Sequence, residues 1–230
     1  MALILSIESA AMGCSVALHR NGDFLAERAQ YESRSAAEQL TVLTERLLKE
    51  SGFGFSDLDA IAVSKGPGSY TGLRIGVSTA KGLCYATDLP LISINTLDAL
   101  ACDETVSQFD GLLCPMLDAR RMEVYCKIKS GAETLEETSA VILANESFNF
   151  WLEKHPVLFF GDGAAKFKEV CDHSNAHFAD GIIAPKAKNI GLLAYQKYLK
   201  NEFEDVAEFE PYYLKEFMMT TPKKNKKVVA

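Results

Sequence analysis

Residues 64–76 read SKGPGSYTGLRIG. They join an apolar run, DAIAVS (59–64), to a segment whose apolar residues recur with helical spacing. Glycine-rich turns between a strand and a helix often cradle phosphate, because the first amides and the dipole of the helix point at the turn. The spacing here fits neither common nucleotide signature. No Gly-Lys-Ser/Thr follows Gly68, so the loop is not a Walker A. Gly66 and Gly68 are followed by Ser69, Tyr70 and Thr71 before Gly72, so it is not Gly-x-Gly-x-x-Gly either. What the loop does fix is a strand ending and a long helix beginning, and the rest of the chain can be laid out from there.

Upstream, LILSIES (3–9), CSVALHR (14–20) and FLAERAQ (24–30) have strand character. Asn21-Gly22 between the last two is a hairpin turn, since both positions call for positive φ. Residues 35–51 form a helix with Ala36, Leu40, Leu43 and Leu47 on one face, a Ser35/Glu38 capping box and Gly52 as its stop. Downstream, the second helix runs to about Asp88, LPLISI (89–94) is a strand, and TLDALACDE (96–104) is a short helix with Thr96 as cap. Beyond residue 110 a weaker copy follows: strands in LLCPMLDA, RRMEVYCKIK and ETSAVIL, a helix in SFNFWLEK, a strand–Gly turn–helix in PVLFFGDGAAKFKEV, a strand in AHFAD and a helix in KNIGLLAYQKYLK. Two β-β-β-α-β-α units, the second degenerate, predict an α/β protein of the actin-like, ribonuclease H-like (ASKHA) fold. The expected divisions are 1–105, 106–220 and a lysine-rich, disordered tail at 221–230.

Composition narrows the function. The 230 residues are 48% hydrophobic with a mean hydropathy of zero, as expected of a soluble, cytoplasmic globular protein. There is no run of eighteen apolar residues and hence no membrane span, and MALILSIESA lacks the basic region of a signal peptide. A net charge of −7 argues against coating nucleic acid by bulk charge. None of the six cysteines lies in a C-x-x-C, so they read as reduced residues without a zinc or disulfide framework.

Four groups of residues invite a chemical reading. The turn after the first strand, Glu8-Ser9-Ala10-Ala11-Met12-Gly13, has one hydroxyl, and methyl groups where phosphate donors would be expected. His173 and His177 have i,i+4 spacing, but Ser174 and Asn175 between them favour a solvated loop over a metal site. Asp118, Arg120 and Glu123 read either as an acid/base pair with a positioning arginine or, as favoured here, as a tight turn in which Asp118 caps backbone amides and pairs with Arg120. Lys223, Lys224, Lys226 and Lys227 read as a solubilising tail or as a contact for RNA phosphate.

ILSIESAAMGCSVAL, KGPGSYTGLRIGVSTAKGL, LDARRMEVY, FFGDGAAKF and EPYYLKEF together resemble the TsaB (YeaZ-like) family of bacterial tRNA threonylcarbamoyladenosine biosynthesis, in family order over nearly the whole chain. The resemblance implies a non-catalytic subunit with no cofactor. It would pair with a TsaD-like catalytic subunit that transfers a threonylcarbamoyl group to the adenine beside the tRNA anticodon. A TsaE-like ATPase joins the pair, and a homodimer forms when TsaD is absent. TsaD-like proteins carry a metal-binding His-x-x-x-His, and at the corresponding places here stand Thr96 and Leu100. The resemblance also implies pairing through the first two helices. On a helical wheel the second helix has Leu73, Val77, Ala80 and Cys84 on one face and Gly72, Ile75, Gly76, Thr79 and Leu83 on another. The expected interface is this second face with Leu40, Leu43 and Leu47, the glycines admitting a partner helix, and Gly66, Pro67, Gly68 and Ser69 form a structural loop. A small-molecule kinase or ATPase of the same fold is the alternative, and a metalloprotease is disfavoured by the missing histidines.

Overall fold

The computed structural model describes residues 1–31 and 36–215. The Ser35 cap and the 221–230 tail fall outside them. Two five-stranded sheets have the same order. In the first, β3 (Asp23–Gln30), β2 (Cys14–Arg20), β1 (Leu3–Glu8), β4 (Ala60–Gly66) and β5 (Leu91–Asn95) lie side by side. In the second, β8 (Glu133–Ile142), β7 (Glu123–Ser130), β6 (Leu112–Asp118), β9 (Val157–Phe160) and β10 (Ala176–Phe178) take the corresponding places in mirrored listing. In each sheet the first three strands are antiparallel and the last two run parallel to the first. The expected duplicated unit is therefore present. Asn21 and Gly22 turn the first hairpin with φ of 53° and 90°.

The alternation of each strand sorts the helices into layers. Leu3, Leu5, Ile7, Val16, Leu18, Ile61 and Val63 face α1 (Ala36–Glu50) and α2 (Tyr70–Thr87). The intervening Ile4, Ala60, Ala62 and Ile92 face Ala99 of α3 (Thr96–Ala101) and Ile190 and Ala194 of α6 (Ala187–Leu199). Thus α6 covers the first sheet, although it follows the second sheet in the chain. Leu97 and Leu100 on the other side of α3 pack on Leu113, Leu117, Leu158 and Phe160 of the second sheet. The outer face of that sheet is closed by α4 (Asn149–Leu152) and α5 (Ala164–Lys168), both shorter than the sequence predicts, around Phe148, Phe159 and Phe167. The cap of α3 is Asn95 rather than Thr96: Asn95 Oδ1 accepts from the amides of Leu97 and Asp98 at 2.9 and 3.4 Å, while Thr96 is buried.

α6 is seated by strand side chains. Its first amides, on Ala187 and Lys188, donate to Ser15 Oγ and Glu27 Oε1 at 2.9 and 3.0 Å. One turn on, Gly191 lies against the His19 ring so closely that a Cβ there would be 2.0 Å from Nδ1. His19 is fully buried, and burial pushes its imidazole down to about 4. The unfolded chain therefore binds the proton first. The resulting stability is fully present above about pH 6.5 and is lost as pH falls toward 4, by about 3 kcal/mol. In denaturant titrations at pH 7.5 and 4.5, acidification should cost the wild type about 2–3 kcal/mol more than it costs His19→Phe, since both proteins share every other titrating group. Equal losses in both proteins would contradict this account.

Candidate functional site

The glycine loop is closed by the turn after β1. Ser69 N donates to Ala10 O at 2.6 Å, and Ser9 Oγ donates to Gly72 O at 2.8 Å. A Cβ on Gly68 would lie 2.3 Å from Ala10 O, and one on Gly72 would lie 2.0 Å from Ser9 O. Gly72 N is taken by Ser69 Oγ at 3.3 Å, the N-cap bond of α2. So two amides at this helix start, those of Ser69 and Gly72, meet a carbonyl and a hydroxyl of the chain itself. The Gly66–Pro67 peptide is cis, and Gly66, at φ 116°, leaves room for Tyr212, whose amide donates to Lys65 O at 2.7 Å.

Glu8 ends β1 beneath this contact. It is 3% exposed, and its Oε1 accepts from Ala10 N at 2.5 Å. Burial outweighs that bond and raises the carboxyl to about 7. The groove beside it, lined by Glu8, Ala11, Met12, Gly13, Tyr31 and Pro185 among others, is too tight to enclose a small ligand.

The second unit repeats the closure. Gly161, at φ 102°, abuts Met116 O at the end of β6, and Gly163 N donates to Met116 O at 3.2 Å. Asp118 N donates to Asp162 Oδ1 at 2.9 Å. Asp118 does cap a turn, accepting from Arg120 N at 2.5 Å. Its ionic partner, however, is Lys166 at 2.6 Å and not Arg120, whose left-handed backbone (φ 67°) brings the amide to Asp118. Glu123 pairs with Lys215. The turn reading describes this loop.

The two faces of α2 need a correction. Leu73, Val77, Ala80 and Cys84 face the core as expected. Gly72 and Gly76, however, make room for the parent strand and not for a partner helix: a Cβ on Gly76 would be 2.1 Å from Ser9 Oγ. Leu40, Leu43 and Leu47 are buried in the core of the first sheet, so their side chains serve the fold. Ile75, Thr79 and Leu83 are half-buried. The outward side of α2 holds Arg74, Ser78, Gly82, Tyr85 and Ala86, and a Cβ on Gly82 would meet nothing within 4 Å. Val42 of α1 is exposed as well.

The flank of α2 is covered by a segment to which the sequence assigned no role. Lys81 Nζ donates to Ala207 O and Phe209 O at 3.1 and 2.9 Å. The Tyr213 ring packs on Tyr70 at 4.9 Å. The only signal for this was the aromatic EPYYLKEF motif itself. His173 and His177 share no helix: His173 Nδ1 accepts from Asn175 N at 3.2 Å in a loop, and His177, on β10, meets the Phe109 ring at a tilt. Thr96 and Leu100 are buried on α3. Among the described residues no group of three His, Cys, Asp or Glu side chains could hold a metal ion, and no helix is long and apolar enough to cross a membrane.

Comparison with known proteins agrees with this architecture. The family model of tRNA N6-adenosine threonylcarbamoyltransferase (TsaD) matches residues 29–221. The tRNA threonylcarbamoyladenosine biosynthesis protein TsaB of Bacillus subtilis is 32% identical over 223 residues, covering 92% of this chain and 93% of that protein. A Pseudomonas aeruginosa structure described as similar to peptidase YEAZ superposes with a TM-score of 0.81 at 25% identity, covering 94% of this chain and all of the other. The ethanolamine utilization protein EutJ of Carboxydothermus hydrogenoformans shares the fold at a TM-score of 0.55 and 10% identity, over 84% of this chain and 90% of its own.

The glycines of α2 should separate by position. Gly76→Ala forces a methyl into Ser9 and should cost about 1–3 kcal/mol. Gly82→Ala, at an open helical position, should gain about 0.5–1 kcal/mol. Thermal melts of the two variants check this, and a Gly76→Ala protein as stable as wild type would refute the close contact.

Proposed function

This chain belongs to the TsaB family of tRNA threonylcarbamoyladenosine biosynthesis proteins, and on that premise we propose that it is a non-catalytic subunit whose work is to bind the threonylcarbamoyltransferase. The transferase, TsaD-like, supplies the chemistry on the adenine beside the anticodon, and a TsaE-like ATPase joins the pair. The observation that carries the reading is the closed glycine loop. A subunit whose phosphate turn is filled by Ala10 and Ser9 has kept the fold while giving up the site at which its kinase and ATPase relatives in fold would act. The same closure disfavours a kinase or ATPase. Thr96 and Leu100, where the transferase family has metal-binding histidines, disfavour a metalloprotease.

The docking face that fits this role is the outward side of α2, where Ser78, Gly82 and Ala86 are small and exposed, flanked by the half-buried Ile75 and Thr79, with Val42 exposed on the neighbouring α1. Gly82 takes the part expected of Gly72 and Gly76: it is the glycine at which another backbone can come close from outside. A second copy of the chain would use the same face when the transferase is absent.

Gly82→Arg and Thr79→Arg should leave the isolated chain folded, because a side chain at Gly82 meets open space and Thr79 is only half-buried. Each should weaken association with a TsaD homologue by about a hundredfold, since an arginine would be overpacked and desolvated in the pair. Val77→Asp should instead unfold the free chain by burying an unpaired charge. Melting curves with calorimetric titration of the homologue test this. Full-strength pairing by a folded Gly82→Arg protein would move the interface elsewhere.

A further inference from the structure

We propose that Glu8 is a proton-binding site that latches the glycine loop: with its carboxyl protonated the turn after β1 closes on α2, and when the proton is lost the turn swings out and frees the start of that helix. The proposal concerns this chain alone and does not depend on the partner assigned above. Glu8 ends the central strand of the first sheet, and the two residues that close the loop, Ser9 and Ala10, follow it directly. Its Oε1 accepts from Ala10 N, Ala10 O accepts from Ser69 N, and Ser9 Oγ donates to Gly72 O. A movement of Glu8 therefore moves both clasps of the loop.

The surroundings of the carboxyl suit the neutral acid and not the ion. Glu8 is buried, and its Oε2 has no hydrogen-bond partner among the described residues at ordinary bonding distance. In the sheet it stands level with Ser15 of β2, whose hydroxyl accepts from the Ala187 amide, and Ser64 of β4 lies beside it. The titratable groups that share its groove are Cys14 of β2 and Tyr31 beyond β3. The charged groups of the neighbouring elements are committed elsewhere. Glu27 of β3 accepts from the Lys188 amide, Lys186 and Lys188 pair with Asp103 and Glu104, and Asp98 of α3 is clamped by Lys127 and Lys129. On α2, Arg74 lies over the Tyr70 ring and Lys81 donates to Ala207 O and Phe209 O. An ionised carboxylate at this place would be buried without a counter-charge, which is costly.

Burial outweighs the bonds from Ala10, Ser64 and Ser9 and raises the carboxyl from 4.5 to about 7. Between those two values the unfolded or opened chain has lost a proton that the closed turn still holds. The closure is therefore fully favoured below about pH 4.5 and is weakened as pH rises through 7. The way out is short. Glu8 lines a groove whose rim is the turn itself, where Met12 is exposed and Ala11 and Gly13 are half-buried, and Tyr31 on the same groove is exposed. A carboxylate carried out with the turn meets water there, while Ser69 N loses Ala10 O.

The test uses the full chain with carbon-13-labelled carboxyl groups, together with Glu8→Gln, which keeps an acceptor for Ala10 N and cannot ionise. The Glu8 carboxyl resonance of the wild type should titrate with a midpoint of about 7. Hydrogen exchange at the Ser69 amide, corrected for its intrinsic rate, should lose protection by on the order of fiftyfold between pH 5 and 8 in the wild type. In Glu8→Gln that protection should stay constant. His19 titrates with the opposite effect on stability over part of this range, and the comparison removes it because both proteins carry it. A carboxyl midpoint below about pH 5 would overturn the proposal, and the wild type alone decides this if the variant fails to fold. An equal loss of protection in the variant would overturn it as well. So would a loss spread evenly over both sheets, which would make Glu8 a determinant of the whole fold and not of the turn.

Discussion

The Ser69 amide on the Ala10 carbonyl is the contact on which the architecture turns. It seals the glycine loop against the turn after β1, and it can form only because Gly68 and Gly72 lack side chains where the two backbones meet. By fixing the first turn of α2 it sets the rotation of that helix, with Val77 and Cys84 inward and Gly82 outward. It also explains why Glu8 is buried and raised to about 7 rather than poised for a cation: the turn has folded over it. A loop with the composition of a phosphate cradle is thereby a packing device.

The two sheets are held as one body by α3. Its apolar sides are divided between them, and its polar side is clamped: Lys127 and Lys129 of β7 reach Asp98 at 3.1 and 2.8 Å. Burial alone would raise the Asp98 carboxyl, but the two ammonium groups outweigh it and hold it below the usual range. Asn95 Nδ2 adds a 3.0 Å bond to Thr138 across the same boundary. Leu97, Leu100, Leu117 and Phe160 fill the boundary between the two sheets.

Most of the framework was legible in the sequence because it rests on local rules. Strand alternation, Asn21-Gly22 and the recurrence after residue 110 lead to two sheets of one order. The facing of α2 was half legible. Periodicity locates the Val77 stripe, but it cannot say whether a glycine clears space for a neighbour's helix or for its own strand. Gly76 serves Ser9, and Gly82, which the wheel assigned to neither apolar face, is the open one. Leu40, Leu43 and Leu47 were read as interface because an apolar stripe looks the same whether a sheet or a partner covers it. The Lys166–Asp118 pair joins residues 48 apart, and no local pattern announces it.

The closed loop is tested most directly by calorimetric titration of the isolated chain with ATP and ADP in the presence of magnesium. At this helix start the Ser69 and Gly72 amides are already taken by Ala10 O and Ser69 Oγ, and the account predicts no saturable heat up to millimolar nucleotide. Saturable binding in the micromolar range, lost when the turn is altered by Ala10→Asp, would show that the Ser9–Ala10 turn opens and that the loop is a phosphate site after all.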